Sequence, residues 1–375
     1  MSEGIQLSLM IGPAVPVPAS KDVIDALQSV KVTSKATGTS GFELVFKVSV
    51  NSPLQTLFLI GSGVAIPLVR VVIATAVNGR TEVLIDGVMT DHHIGTDEQA
   101  GQTTLTIIGE DLTRLMDYVD FSGLPFPAMP AEAQVALTLV KYAVFGIVPM
   151  VIPSVLIDVP IPTERIPRQQ GTDLKHIRKL ADAVGYVFYL EPGPEVGMSV
   201  AYWGPQIKVG APQPALAIDA DAATNVDSVS FSFDNEHKRM PVLMIQNSLT
   251  KFPIPIPIPD ITPLDPPLGL IPPMPKHFDK ITGVAKLSAV RAALIALAKI
   301  SQSADAVRAN GTLDVLRYGR VLKPRRLVGL RGAGMAFDGM YYVESVTHEL
   351  KRGEFKQQFT LSRNGLISTL PAVLS

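Results

Sequence analysis

The segment from Gly339 to Gly365 predicts one long β-hairpin, and with it an antiparallel β fold. Its second arm alternates strictly, which is typical of a strand with one face on a core. The core face is expected to hold Phe355, Gln357, Phe359 and Leu361, and the opposite face Glu354, Lys356, Gln358, Thr360 and Ser362. The first arm, Tyr341 to Leu350, is rich in aromatic and β-branched residues and less clearly sorted, so we expect cover on both of its sides. Gly353 can take the positive φ that the reversal at 351–353 needs.

The overall composition indicates a multi-unit chain with unusual amounts of apolar surface. At 375 residues, two or three folded units are expected. Hydrophobic residues make up 47% and charged residues only 18%, and the mean hydropathy is +0.28. Such a chain either resides in a membrane or buries surface against other subunits.

The most apolar stretches do not favour a membrane span. Leu139 to Ile157 is interrupted by a lysine and two prolines, and Leu54 to Val77 by an arginine, a proline and two glycines. Neither offers the roughly 20 uninterrupted apolar residues that a spanning helix needs. We therefore expect burial between subunits and no stable membrane insertion.

Termini, cysteine content and charge exclude further classes of protein. The N-terminus lacks a basic region before its apolar run, so a secretory signal is not expected. The absence of cysteine excludes disulfides and thiolate chemistry. A net charge of −1 without a long basic block argues against dedicated nucleic-acid binding. A cytoplasmic origin fits these features.

The first segment, to about Asp120, is predicted to be mostly β. Residues 43–50 alternate as a half-buried strand does. Thr81–Thr90 and Gln102–Gly109 are two further predicted strands, separated by a polar loop at Asp91–Gly101. Glu110–Tyr118 is expected to form a short helical closing turn.

The next segment indicates a small α+β unit. Pro130–Phe145 has the spacing of a helix, and Thr172–Val184 is a second helix with Thr172 as its N-cap and Gly185 just past its end. Tyr186–Leu190 and Met198–Trp203 are predicted strands joined by a Pro/Gly turn.

The C-terminal part begins with Asn225–Phe233, a strand for which Val242–Leu249 is the expected partner. The proline-rich run Lys251–Pro275 excludes helix and central strand, and we expect a semi-rigid strap that lies along a surface; a ligand for a proline-recognising domain is the alternative. Leu287 to about Val307 predicts an amphipathic helix, and a final β segment is expected from Gly311 onward.

A search for chemical sites finds histidines in weak contexts. His92-His93 is expected in a solvated loop, and His176 on the surface of its helix. For His348, in mid-strand, a cross-strand pair is expected rather than general-base work. The Gly332-Ala333-Gly334 run is not followed by the βαβ unit that a dinucleotide site requires.

No other motif in the chain indicates an active site. Phosphate-binding loops, nucleophile elbows and the paired histidines of zinc proteases are absent from the sequence, and the glycosylation pattern at 310–312 has no meaning without a secretory signal. We therefore predict no catalytic, cofactor-binding or metal-binding residues, and a structural rather than enzymatic protein.

Four segments together resemble a known family. They are Val83–Asp117, Arg168–Gly193, Leu313–Leu350 and Arg352–Gly365, in the expected order. Each is similar to the baseplate hub family of contractile injection machines. That family includes phage late control protein D, hub proteins of contractile phage tails, and the hub half of the type VI valine-glycine repeat spike.

The resemblance implies a mainly β, α+β fold with two tail-tube-like β-barrel domains. Residues 1–120 would form the first, 121–224 an α+β insert, and 225–250 with 311–375 the second, with 251–280 as the strap and 281–310 as the helix. A homotrimer would then present six similar units, which adapt the hexameric ring of the inner tube to a trimeric spike among other baseplate proteins. Assembly in the cytoplasm would precede incorporation into a virion or injection particle. The low charge and high apolar content agree with large subunit interfaces.

Two rival functions and one departure accompany the resemblance. A spike-associated cell-wall hydrolase would need a pair of carboxylates in a cleft, and a membrane-associated protein would explain the hydropathy. Unlike the type VI proteins, the sequence stops at Ser375 without a following barrel or β-helix, so the spike is expected to be a separate polypeptide.

Overall fold

A computed structural model gives the architecture of the chain. The residues that it describes are 4–13, 15–48, 69–97, 102–154, 159–163, 166–219, 221–234, 239–246, 253–257, 266–274, 277–281 and 305–369. The expected fold class, mainly β with a mixed α+β insert, is confirmed.

Seven antiparallel strands and one short helix, α1 (Lys21–Ala26), make up the first β half. The strands are β1 (Gln6–Gly12), β2 (Val17–Pro18), β3 (Leu27–Lys35), β4 (Gly41–Val48), β5 (Arg70–Val77), β6 (Arg80–Asp97) and β7 (Gln102–Asp111). They pair in the order β2–β1–β5–β6–β7–β4–β3. The alternation expected over 43–50 is confirmed where it is described, because Leu44, Phe46 and Val48 on β4 are buried.

The insert packs two helices against a three-stranded sheet. It begins with a 3₁₀ turn at Leu112–Asp117, which confirms the predicted closing turn. Its other elements are α2 (Ala131–Val140), a 3₁₀ turn (Ala143–Phe145), β8 (Ile147–Val151), α3 (Asp173–Val184), β9 (Tyr186–Pro192) and β10 (Ser199–Pro205). As predicted, the Thr172 hydroxyl accepts from the amide of Lys175 and Gly185 ends α3 with φ +73°. Leu139, Ile177 and Trp203 lie in a separate apolar core.

The second β half and the proline-rich region complete the chain. Their elements are β11 (Gln213–Ala217), a 3₁₀ turn (Asp221–Ala223), β12 (Val226–Phe233), β13 (Arg239–Gln246), β14 (Pro253–Pro257), β15 (Gly269–Ile271), β16 (His277–Ile281), β17 (Val307–Asp314), α4 (Val315–Tyr318), β18 (Leu327–Arg331), β19 (Gly339–Lys351), β20 (Glu354–Arg363) and β21 (Leu366–Ser368). The main sheet continues in the order β12–β17–β20–β19, and β18 joins β19 to β11.

The predicted long hairpin is confirmed as β19 and β20. Phe355, Gln357, Phe359 and Leu361 are buried on one face of β20. The cover expected on both sides of the first arm is present only at its start, where residues 339–343 are all buried; from residue 344 onward burial alternates, so the rest of β19 is covered on one face. Gly353 turns the chain with φ +80°. One departure is Ser362, which is buried on the opposite face, where its hydroxyl donates to Asp305 at 2.6 Å.

The described parts of the proline-rich run agree with a strap on a surface. β14 lies at the edge of the small sheet β14–β13–β16, where proline is tolerated because only one neighbour needs hydrogen bonds. β15 pairs with β21, and the amides of Leu268 and Gly269 donate to the side chain of Asn364 at 3.0 and 2.9 Å. Residues 266–274 are thereby attached to the second β half.

Three sequence predictions about elements are wrong. Asp91–Asp97 continues β6 instead of starting a loop, because it pairs with β7 from Asp91–Ile108 to Asp97–Gln102, with Ile94 opposite the buried Leu105. The partner of β12 is β17, whereas β13 pairs with β14 and β16. Residues 307–310, expected at the end of a helix, begin β17; residues 282–304 of that helix lie outside the described residues.

Candidate functional site: the sheet seam and its surfaces

The two β halves meet edge to edge along one seam. β3 of the first half pairs antiparallel with β19 of the second, from Ser29–Lys351 to Lys35–Ser345. The hydroxyls of Thr33 and Thr347 lie 3.1 Å apart across it. A single apolar cluster contains residues of both halves, including Leu44 and Phe359. The halves therefore share one sheet and one core; among the described strands, no pairing closes either half into a barrel.

One face of this shared sheet is polar and uncovered within the described chain. Cross-strand register and alternation place its side chains on the same side, and all are at least partly exposed. We name this surface the polar face, and its residues are Ser228, Ser230, Ser232, Arg308, Asn310, Thr312, Lys356, Gln358, Thr360, Ser345, Thr347, Glu349, Ser29, Lys31, Thr33, Lys35 and Glu43.

Charges on the polar face are partly neutralised across strands. Lys31 stands opposite Glu43 on one side and Glu349 on the other, with its Nζ 3.8 Å from the Glu349 carboxylate. The ammonium of Lys356 lies 3.5 Å from Asp227. Most of the remaining residues carry hydroxyls or amides, so this surface is hydrated and without apolar patches, and its four cationic side chains exceed its two carboxylates.

The two ends of the main sheet are open. Among the described strands, β12 has a neighbour only on its β17 side, and β2 only on its β1 side. An unpaired strand edge presents amide and carbonyl groups that can pair with another chain. The residues of β12 alternate between a polar and an apolar face, so a strand of another chain with the same alternation could pair with this edge and extend the sheet.

The insert presents apolar side chains to solvent. Val144 and Val140 are 76% and 62% exposed, and other exposed apolar residues nearby in the chain are Leu137, Val148 and Met150. Isolated exposed apolar residues are ordinary, but a group of this kind on one small unit marks an interaction surface.

A buried ion pair joins the insert to the first β half. Arg70 binds both carboxylate oxygens of Asp86, Nε to Oδ1 at 2.8 Å and Nη2 to Oδ2 at 2.6 Å. The same Nη2 donates to the carbonyl of Gly197 in the insert at 2.8 Å. The side chains are only 5% and 0% exposed, so this contact lies out of water.

A loop at 320–326 connects all three units around a cleft of about 470 Å³. Lys323 pairs with Glu82 of β6 at 2.5 Å, and Arg326 lies 3.7 Å from Glu191 of β9. The Arg325 guanidinium stacks 4.3 Å above the ring of Tyr189. These contacts fix the loop between the two β halves and the insert.

His348 is paired across strands, as predicted, and belongs to a buried network behind this loop. The Gln357 amide donates to His348 Nδ1 at 3.0 Å and to the carbonyl of Leu322 at 2.9 Å, and its oxygen accepts from the amide of Leu322 at 2.9 Å. An Nδ1 that accepts belongs to the neutral imidazole. Burial lowers the pKa of His348 to about 3.

The network predicts that stability falls in acid through His348. Well above the ordinary pKa of about 6.5 the side chain is neutral in both the folded and the unfolded state. As the pH falls from there toward 3, only the unfolded chain takes up the proton, so the free energy of unfolding decreases by about 2 kcal/mol between pH 7 and 5. Urea titrations at these pH values should show a smaller decrease for His348→Gln; the same decrease in both proteins would contradict the assignment.

The remaining predicted positions do not form a site. His92 and His93 lie on β6 with Asp91 and not in a loop, although His93 is exposed as expected. The surface position expected for His176 is wrong: it is 4% exposed and stacks on Phe126 at 5.3 Å, because the loop before α2 covers α3. The glycines at 332 and 334 turn the chain between antiparallel strands β18 and β19.

The described residues add two negative findings. They contain no group of three or more His, Asp or Glu side chains placed to hold a metal ion. No helix in the same ranges has the length and hydropathy to cross a membrane.

Comparisons with known proteins give a clear result for the fold. No family model and no curated protein sequence matches the chain. Among solved structures, it is similar to the tail protein from Neisseria meningitidis MC58 (TM-score 0.61, 12% identity, 97% of this chain and 98% of that chain) and to the 43 kDa tail protein of prophage MuSo2 from Shewanella oneidensis (0.58, 13%, 96% and 98%). An Escherichia coli component of the type VI secretion system is also similar (0.53, 12%, 93% and 77%). The chain has the fold of these tail proteins over nearly its full length.

Proposed function

We propose that the chain is a member of the baseplate hub family and connects the inner tube of a contractile tail or injection particle to its spike. The observation that carries this proposal is the β3–β19 seam, which places two β units side by side in one sheet of one chain. The tail-protein fold over nearly the whole length supports it.

Symmetry explains why a hub would carry two β units. Three copies contribute six units of similar construction, which match a hexameric tube ring on one side, while the chain itself repeats three times and matches a trimeric spike on the other. A closed three-fold ring needs two different edges that are complementary to each other, one on each side of the chain. The open edges at β12 and β2 are available for pairing between neighbouring copies.

In this arrangement the polar face is the wall of the central channel. A wall made mainly of hydroxyls and amides holds water and gives passing cargo no apolar patch to bind. Passage of cargo needs such low adhesion. The exposed apolar residues of the insert, by contrast, are suited to contacts with neighbouring copies or other baseplate proteins.

The proposed role is structural rather than catalytic, in keeping with the tail proteins that share the fold. The protein would assemble in the cytoplasm and end in the baseplate of a virion or injection particle. No observation on the described residues favours the hydrolase or the membrane-associated alternative.

The proposal predicts a stable trimer. Light scattering after size exclusion should give about three times the chain mass of 40.2 kDa, and electron micrographs should show rings that bind purified tube and spike proteins. A chain that stays monomeric at high concentration and ignores both partners would refute the proposal.

A further inference from the structure

A second concavity lies beside the connecting loop, on the side away from the insert strands. It has a volume of about 280 Å³ and forms where the turn between β5 and β6 meets residues 211–214 and 320–326. We name it the junction pocket. Its charged lining residues are Arg80, Glu82, Arg320, Lys323 and Arg326.

The walls of the junction pocket are held in place by the protein itself. The Asn78 side-chain amide donates to the carbonyl of Gly319 at 3.1 Å, which ties the β5–β6 turn to the loop after α4. The Gln213 side chain binds both the amide and the carbonyl of Lys323 at 2.9 Å. The Tyr318 hydroxyl donates to Pro214 at 2.7 Å. The chain segments that carry the lining residues are therefore held in place before a ligand binds, which limits the cost of reorganisation to the side chains.

The charge in the junction pocket is unbalanced. Four cationic side chains face one carboxylate, and that carboxylate, Glu82, is already paired with Lys323. Arg326 reaches Glu191 outside the pocket. Within the described residues, Arg80 and Arg320 have no acidic partner, and both are exposed. On the polar face, by contrast, Lys31 lies between Glu43 and Glu349 on the neighbouring strands.

We propose that the junction pocket binds a carboxylate side chain from an acidic segment of a partner protein. Two arginines without acidic partners that line one small cavity suit a carboxylate, which accepts paired hydrogen bonds from arginine. A nucleic-acid backbone would need a stripe of cations that follows several phosphates, whereas this cluster is confined to one concavity. The inference concerns a site apart from the seam and does not depend on a hub role.

The test uses the full chain and a labelled peptide with four consecutive glutamates. Fluorescence anisotropy at low salt should show binding, and a glutamine version of the peptide should not bind. Replacing both Arg80→Gln and Arg320→Gln should weaken binding at least about tenfold, because two charge-assisted contacts are lost. A control pair, Arg308→Gln with Arg352→Gln, removes two exposed arginines elsewhere and should change binding less than twofold.

Further outcomes decide against the proposal. Equal weakening by the control pair, no binding of the glutamate peptide, or tighter binding of a DNA oligonucleotide of equal charge would each overturn it. A photo-crosslinking version of the peptide tests the unsubstituted chain, so the result does not depend on the folding of any variant. Crosslinks at 211–214 or 320–326 are expected, and crosslinks only elsewhere would refute the site.

Discussion

Replacing Asp86 by alanine is expected to destabilise the folded chain by roughly 3–5 kcal/mol, because the buried charge of Arg70 loses the Asp86 carboxylate that compensates it. Both side chains are removed from water and joined by two hydrogen bonds. Burial raises the pKa of Asp86, and the hydrogen bond and charge of Arg70 oppose this rise. Burying the two charged groups costs free energy, and their ion pair and hydrogen bonds offset that cost. Removing only Asp86 removes the offset, while the cost of burying the Arg70 charge remains.

Chemical unfolding followed by two signals measures this effect. Trp203 is the chain's single tryptophan and lies fully buried in the insert, so its fluorescence reports that unit, while circular dichroism reports mainly the sheets. In Asp86→Ala the insert transition should move to lower denaturant and separate from that of the sheets, since Arg70 also holds Gly197.

A matched control separates the lost partner from lost packing. The double replacement Arg70→Met with Asp86→Leu removes both charges and fills the space with apolar atoms, and it should recover most of the stability. Arg70→Lys keeps the charge but loses the paired geometry, so an intermediate loss is expected. A loss below about 1 kcal/mol in Asp86→Ala, or a double variant as unstable as the single one, would contradict the account.

Local periodicity explains which elements were predictable from the sequence. Alternation over Glu354–Arg363 reports which face meets the core, and capping by Thr172 and Gly185 marks the ends of α3. These signals arise between residues close in the chain, and the structure confirms them. Asn78-Gly79, both with positive φ, is a further local signal of the same kind and marks the hairpin turn between β5 and β6.

Pairing between distant strands was not predictable in this way. The pattern of a strand states which side is buried but not which neighbour lies beside it. For this reason β12 was assigned the next strand in the chain instead of β17, and the β3–β19 seam was not foreseen. The resemblance to a family gave two β units, and only the structure joins them into one sheet.

The same limit applies to individual side chains. The cross-strand role of His348 followed from its place in a strand, and the structure adds Gln357 as its partner. The burial of His176 depends on Phe126, which comes from a loop without periodic signal. The junction pocket combines three separate turns, so no spacing along the sequence could reveal it.

Replacing Val32 by proline should remove the seam. Val32 is fully buried in β3, between Phe42 on β4 and His348 on β19. Proline lacks the amide hydrogen of the ladder and is tolerated essentially only at sheet edges, so the expected loss is about 3 kcal/mol or more. Val32→Ala is the matched control, because it shortens the same side chain and leaves the backbone hydrogen bonds intact.

Hydrogen exchange locates the damage to the seam. In Val32→Pro, amides of β3 and of 345–351 on β19 should exchange much faster, whereas the β19–β20 hairpin keeps partial protection because β17 still supports it. Val32→Ala should lower protection evenly across the shared core. If the proline variant accumulates only as insoluble protein while the alanine variant stays soluble, the seam is required for folding, as expected. Equal stability and equal exchange in the two variants would show that the halves do not depend on β3–β19 pairing, and the argument from one continuous sheet to a ring of six units would then fail with it.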